Sequence, residues 1–247
     1  MSKFRDTTNL IFQGHEGWLE FRSSHGHHDS PVEVLYKWGH NMKVDGLCKK
    51  EILKAYYIDP DGKKSELTID GPEDSAYKAA FVPENHGFYQ AVVVADVIWT
   101  VSVDGKYLNV PKKECEFPLE ASAFTEYANA IIPVGHDLEG EIRPAGSTLE
   151  LAPLFWKPWK AGDTVKLRVS FKGAPLAASQ VVMIYGMAED NEEPEVKETD
   201  SEGLVSFTFE KPGYYLALVR HVDNDDAREG YYDRRNYTNT LFMMVTK

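Results

Sequence analysis

The sequence predicts an all-β protein made of two β-sandwich domains, the second of them Ig-like, with one short helix near their junction. Three observations predict it. Short segments of period-two alternation recur along the chain, turn-forming residues separate them, and residues 133–153 interrupt the alternation with glycines, prolines and acids. A chain of 247 residues divides more naturally into two domains of ordinary size than it fills one.

Taken in order, residues 1–14 (MSKFRDTTNLIFQG) show neither alternation nor the apolar stretch of a signal peptide. Asn9 to Gly14 resemble a protease-cleavage linker, so this stretch is expected to be a leader outside the fold. If so, the natural mature chain is expected to start close to His15, and a removed export signal would account for that start. Gly17 to Phe21, Val32 to Trp38, Gly87 to Ala95, Val97 to Val103 and Thr164 to Ser170 read as strands. Asp59 to Gly62, Asp70 to Pro72, Asp104-Gly105, Lys172-Gly173, Asp200 to Gly203 and Lys211 to Gly213 are the turns between such strands. Ala121 to Ile132 is the one segment that reads as a helix, because Phe124, Tyr127, Ala128 and Ile131 recur at three- and four-residue spacing. The expected domains are therefore residues 15–147, with the histidine-rich segment, and residues 148–247. The latter holds about seven strands, interrupted by an acidic loop at Glu189 to Glu198.

Composition excludes several classes. There are 27 basic and 39 acidic residues, a net of −12, and no basic stripe that could displace counterions from a phosphate backbone, so nucleic acid is not an expected partner. The apolar runs fall far short of the ~20 residues a membrane helix needs, so no transmembrane segment is expected. GxSxG, HExxH, phosphate-loop and dinucleotide motifs are absent, and no enzymatic function is expected. Cys48 and Cys115 lack zinc-site spacing and are either bridged or two packed thiols. Trp156 and Trp159, in Phe155 to Trp159, either face a sugar or peptide or pack between the domains.

The strongest chemical signal is imidazole. Five of the eight histidines, His15, His25, His27, His28 and His40, fall between residues 15 and 40. Neutral imidazole is a common ligand for nickel, cobalt, copper and zinc, and a loop such as Ser23 to Asp29 can wrap several rings around one ion. In extended backbone His25 and His27 share a side while His28 points the other way. These five are the expected metal ligands, with Asp29 and Met42 near enough in sequence to add an oxygen or a thioether. His86, His136 and His221 each read singly as ordinary histidines, and Asp223, Asp225 and Asp226 lack the spacing of an EF-hand loop.

Gly14 to Glu20 (GHEGWLE), Gly39-His40, Gly135 to Leu138 (GHDL), Thr148 to Pro153, Ala161 to Val165, Lys172 to Ala177, Thr199 to Phe207 and Pro212 to Tyr215 together resemble the DUF4198 family. The resemblance extends over nearly all of His15 to Val245. The later motifs also recur in carboxypeptidase-regulatory-like sandwiches. The resemblance implies an exported protein, periplasmic or at the cell surface, associated with nickel and cobalt uptake and with a membrane transporter component as partner. It assigns metal-binding roles to His15 and His40; the HGHH segment at His25 to His28 departs from the family pattern. The expected function is capture of a transition metal ion, Ni²⁺ first, with Co²⁺, Cu²⁺ or Zn²⁺ as alternatives. The rival is an Ig-like interaction or carbohydrate-binding module whose histidines are incidental.

Overall fold

A computed structural model describes residues 5–72, 75–189 and 192–247; Met1 to Phe4 of the expected leader and Asp190 and Asn191 of the acidic loop lie outside the described residues. The chain is built of strands, as alternation and turn chemistry require, and each half is a two-layered sandwich, the two halves sharing one sheet. One ten-stranded sheet runs through both. Its main path is Glu195–Glu198, Gln180–Tyr185, Gly213–Asp223, Arg234–Thr246, Pro118–Val134, Gly87–Ser102, Leu53–Ile58 and Lys64–Leu67. The join is a parallel pairing of Arg234–Thr246 with Pro118–Val134, from Arg234 opposite Ser122 to Phe242 opposite Ala130.

A second layer covers each half. Over the N-terminal half lie the hairpin Glu16–Glu20 and Val32–His40 with Tyr77–Phe81, closing a core of Leu19, Val34, Tyr36, Trp38, Tyr89, Val93 and Ile132. Over the C-terminal half lie Leu149–Pro153, Thr164–Phe171 and Leu204–Thr208, closing a core of Leu151, Leu167, Val169, Val181, Phe207, Val219 and Leu241. The first hairpin also touches the C-terminal half. All five residues of Glu16–Glu20 are buried because both faces are covered. Leu19 enters the first core while Trp18 packs with Ile184, Leu216 and Phe242, and Thr240 donates a 2.7 Å hydrogen bond to the Gly17 carbonyl.

Two expectations need correction. Ala121 to Ile132 is not a helix but part of the strand Pro118–Val134, paired in antiparallel register with Gly87–Ser102. A strand buried on both faces has no polar face to give period two, so apolar residues at helical spacing arise from its composition alone. Ala128, Ala130 and Ile132 belong to the first core, whereas Tyr127 and Ile131 pack against the second.

The exclusion of residues 1–14 from the fold also fails for the part described. Thr8–Gln13 form a 3-10 turn closed by Gly14 at a φ of 86°, which suits glycine. Ile11 is buried in the first core, and Phe12 sits 5.1 Å from Phe124 and 5.5 Å from Trp99 between ring centroids. Thr7 donates to the Leu47 carbonyl at 3.0 Å. Ile11→Ala is therefore expected to lower unfolding stability by about 2–4 kcal/mol, the cost of a buried cavity. Urea denaturation measures it; an unchanged midpoint would mean that this segment contributes nothing.

Among the described residues no helix is long and apolar enough to cross a membrane. Cys48 and Cys115 are unbridged buried thiols, and burial pushes the Cys48 thiol far above its ordinary value.

Candidate metal centre

The site grows from a glycine. Between the hairpin strands Glu16–Glu20 and Val32–His40 the chain loops outward, and Gly26 fastens that loop to the end of the strand Pro118–Val134. The Gly26 N–H donates to the Pro133 carbonyl at 2.7 Å, and the Gly135 N–H donates to the Gly26 carbonyl at 3.0 Å. Any larger residue would disturb this contact, since a Cβ on Gly26 would lie 2.7 Å from Val32 Cγ2 and 3.4 Å from Val134 Cγ2. On the facing segment Gly135 adopts a φ of 122°, again a conformation that suits glycine.

This fastening brings together residues far apart in sequence. His25 and His27 flank Gly26; His136 follows Gly135. The His25 ring centroid is 4.7 Å from that of His27 and 4.3 Å from that of His136, and His27 and His136 are 5.5 Å apart. One ligand atom from each of the three lies within 4.8 Å of the others. An ion bound at about 2.0–2.1 Å needs its nitrogens roughly 3.0–3.4 Å apart, so the ligand atoms need to close by at most about 1.4–1.8 Å. His27 and His136 are exposed, which makes that closure a matter of side-chain rotation.

His25 is already oriented for coordination. Its Nδ1 is 2.9 Å from Ser24 Oγ, while its Nε2 is buried and has no hydrogen-bond partner. Fixing one ring nitrogen so that the other faces a metal is the usual role of groups behind a histidine ligand. Partial burial lowers the His25 pKa, the neighbouring His136 and His27 lower it further, and Asp137 opposes them. The ring therefore stays neutral, and able to coordinate, to lower pH than a free histidine.

The five histidines expected from sequence do not converge on one ion. Only His25 and His27 enter the cluster, and His136, which read singly as an ordinary histidine, completes it. Its only sequence signal was Gly135-His136-Asp137. His28 points away, with Nδ1 2.8 Å from Asp29 Oδ2 and its ring 4.7 Å from that of His86. His15 and His40 lie at the other end of the hairpin, beyond a strand of five residues, about 16 Å at ~3.3 Å per residue.

At that far end the groups are held by hydrogen bonds. His15 Nε2 meets Asp45 at 2.7 Å, and its ring stacks 6.0 Å from that of His40. His40 Nδ1 meets the Gly14 carbonyl at 3.0 Å and is 3.6 Å from buried Glu16, whose hydrogen bond holds the His40 pKa above its ordinary value. Arg220 donates to the Gly14 carbonyl and to Glu16, at 2.8 and 3.0 Å. A guanidinium fixed at this place repels a second cation, so His15 and His40 form a polar clamp between the hairpin and the strand Gly213–Asp223.

The remaining candidates are also occupied. Met42 packs beside the Trp18 cluster, and His221 lies 4.3 Å from the Phe171 ring. Asp223 pairs with Lys172 at 2.7 Å, while Asp226 accepts from Arg235, Tyr232 and Tyr237. Trp159 is buried 5.6 Å from Phe209, and Trp156 lies 5.6 Å from Phe88, so the pair does not form an exposed stacking platform.

Gly26→Val is expected to weaken any metal binding by the cluster at least tenfold although it removes no imidazole, because the displaced loop withdraws two rings from the third. Parallel metal titrations of both proteins check this; equal affinities would show that the fastening does not position the site.

Fold and site define an all-β protein with a preformed three-imidazole cluster where a hairpin loop meets the central sheet. Residues 12–223 match the sequence model of DUF4198, a domain of unknown function, and the chain belongs to that family. Among curated proteins no sequence matches the chain. Among solved structures it is similar to a DUF4785 family protein from Legionella pneumophila, at 11% identity and a TM-score of 0.31, over 90% of this chain and 54% of that one. It is similar to trypsin-activated alpha-2-macroglobulin from Escherichia coli, at 12% identity and a TM-score of 0.29, over 92% of this chain and 15% of that one. The D0-D1 domain of intimin aligns at 11% identity and a TM-score of 0.24, over 93% of this chain and 97% of that one. The chain thus spans about half of the first structure and a small part of the second.

Proposed function

We propose that the protein is a non-catalytic carrier or capture protein for a transition metal ion, held by His25, His27 and His136. The observation that carries this reading is the meeting of three imidazoles from two chain segments more than 100 positions apart, one of them with a buried, unpartnered nitrogen. Three protein ligands leave positions on the ion for water or for a receiving group, and the two exposed rings allow the ion to leave without unfolding the loop. An all-nitrogen set suits Ni²⁺, Co²⁺, Cu²⁺ and Zn²⁺ and disfavours Ca²⁺ and Mg²⁺.

Nickel or cobalt is the proposed cargo and a membrane transporter component the proposed recipient, in the periplasm or at the cell surface. These finer assignments rest on the family resemblance in uptake-associated proteins. Copper is expected to bind most tightly in vitro, following the Irving–Williams order, so cargo would be set by supply and geometry.

Calorimetric titration of the untagged protein with Ni²⁺ tests the proposal. Binding should release protons, weaken on acidification because a protonated imidazole cannot coordinate, and disappear when His25 and His27 are both changed to Ala. Binding that is indifferent to pH and to these substitutions would remove the imidazoles from the mechanism.

A further inference from the structure

His28 and His86 stand outside the three-imidazole cluster but next to it. We propose that they form a second, weaker transition-metal site, with Asp29 orienting His28, so that the protein presents two adjoining imidazole sites. His28 opens the turn that follows His27, and its ring comes to 4.7 Å from the ring of His86, tilted by 40°.

His28 is set up as a ligand in its own right. Asp29 Oδ2 lies 2.8 Å from His28 Nδ1, the carboxylate–histidine arrangement that fixes a ring and leaves Nε2 for a metal. Asp29 is itself anchored: it takes a φ of 57°, and its N–H donates to the Pro83 carbonyl at 2.9 Å, three residues before His86. One short contact therefore ties the two ligand-bearing segments together.

The pair adjoins the first site at two points. His86 Nδ1 is 3.4 Å from where a Cβ on Gly135 would stand, and Gly135 directly precedes His136. His27 and His28 are likewise consecutive. His28 thus follows one ligand of the first site in the chain, and His86 lies against the residue that precedes another. Two protein nitrogens hold an ion less firmly than three, so the second site fills at higher metal concentration.

The test is a Zn²⁺ and Ni²⁺ titration of the full chain by equilibrium dialysis, with histidine side-chain nitrogen resonances followed in the Zn²⁺ series. The expected result is about two ions per chain, the weaker one perturbing His28 and His86. His86→Ala and His28→Ala should each remove the weaker equivalent and leave the tighter affinity within about threefold. Asp29→Asn should weaken only the second equivalent, by roughly 10- to 100-fold. One ion per chain in the unaltered protein, or a weaker equivalent that survives His86→Ala, would overturn the proposal. The first site fails by a different result, a tight equivalent that persists when His136 is changed, so the two readings are separable.

Discussion

Glu126→Gln is expected to stabilise the protein by up to about 5 kcal/mol at pH 9 relative to the native chain, with a difference under about 1 kcal/mol at pH 5. The Glu126 carboxyl lies on the strand Pro118–Val134 beneath the first hairpin, where the Gly17 N–H donates to it at 3.2 Å. Complete burial pushes its pKa from 4.5 to about 8; Glu16 adds to the rise, while the Gly17 hydrogen bond and Arg220 oppose it. The folded value is raised, so the folded state binds the proton more tightly than the unfolded chain. The stabilisation is fully present below about 4.5, declines above it and is exhausted once the pH passes about 8. Glutamine has nearly the same shape and never ionises, so the variant escapes that decline. Urea midpoints of both proteins at pH 5 and 9 give the difference directly. A native midpoint that tracks the variant at both values would mean that water reaches Glu126 and that the enclosure under the hairpin is looser than its geometry.

The same strand shows what was legible in the sequence and what was not. Alternation is a property of strands with one wet face, and Val32–His40 and Thr164–Phe171, whose burial alternates, were readable for that reason. Pro118–Val134 is covered on both sides, and with that the periodic signal vanished and a helical spacing took its place. Nor does local pattern encode the parallel pairing with Arg234–Thr246, which makes one sheet of two halves, because register between residues over 100 positions apart is set by packing. At the histidine cluster the local part was legible: His25 and His27 share a side because two residues is the period of extended backbone. His136 was not, since only the contact of Gly26 with Pro133 and Gly135 brings it near. Counting histidines along the chain also drew in His15 and His40, which a five-residue strand carries to the opposite end.

His136→Ala is accordingly the most discriminating change to the centre. The HGHH segment resembles a short chelating peptide, which could bind an ion without any folded structure, and loss of His136 would then cost almost nothing. In the proposed site His136 supplies one of three nitrogens and comes from the other chain segment, so its removal is expected to lower Ni²⁺ affinity by at least 100-fold, about 2.7 kcal/mol. Thermal unfolding supplies an independent reading. An ion that binds only the folded site stabilises it by about 2.7 kcal/mol at a hundredfold excess over its dissociation constant, and for a chain of 247 residues that raises Tm by several degrees. The native protein should show this rise with added Ni²⁺ and the His136→Ala variant should not. Because the His136 side chain is exposed, its removal opens no core cavity, and the metal-free Tm should stay within a degree or two. If both proteins rise equally with metal, the ion sits on the loop alone, and the meeting of the two segments has no part in holding it.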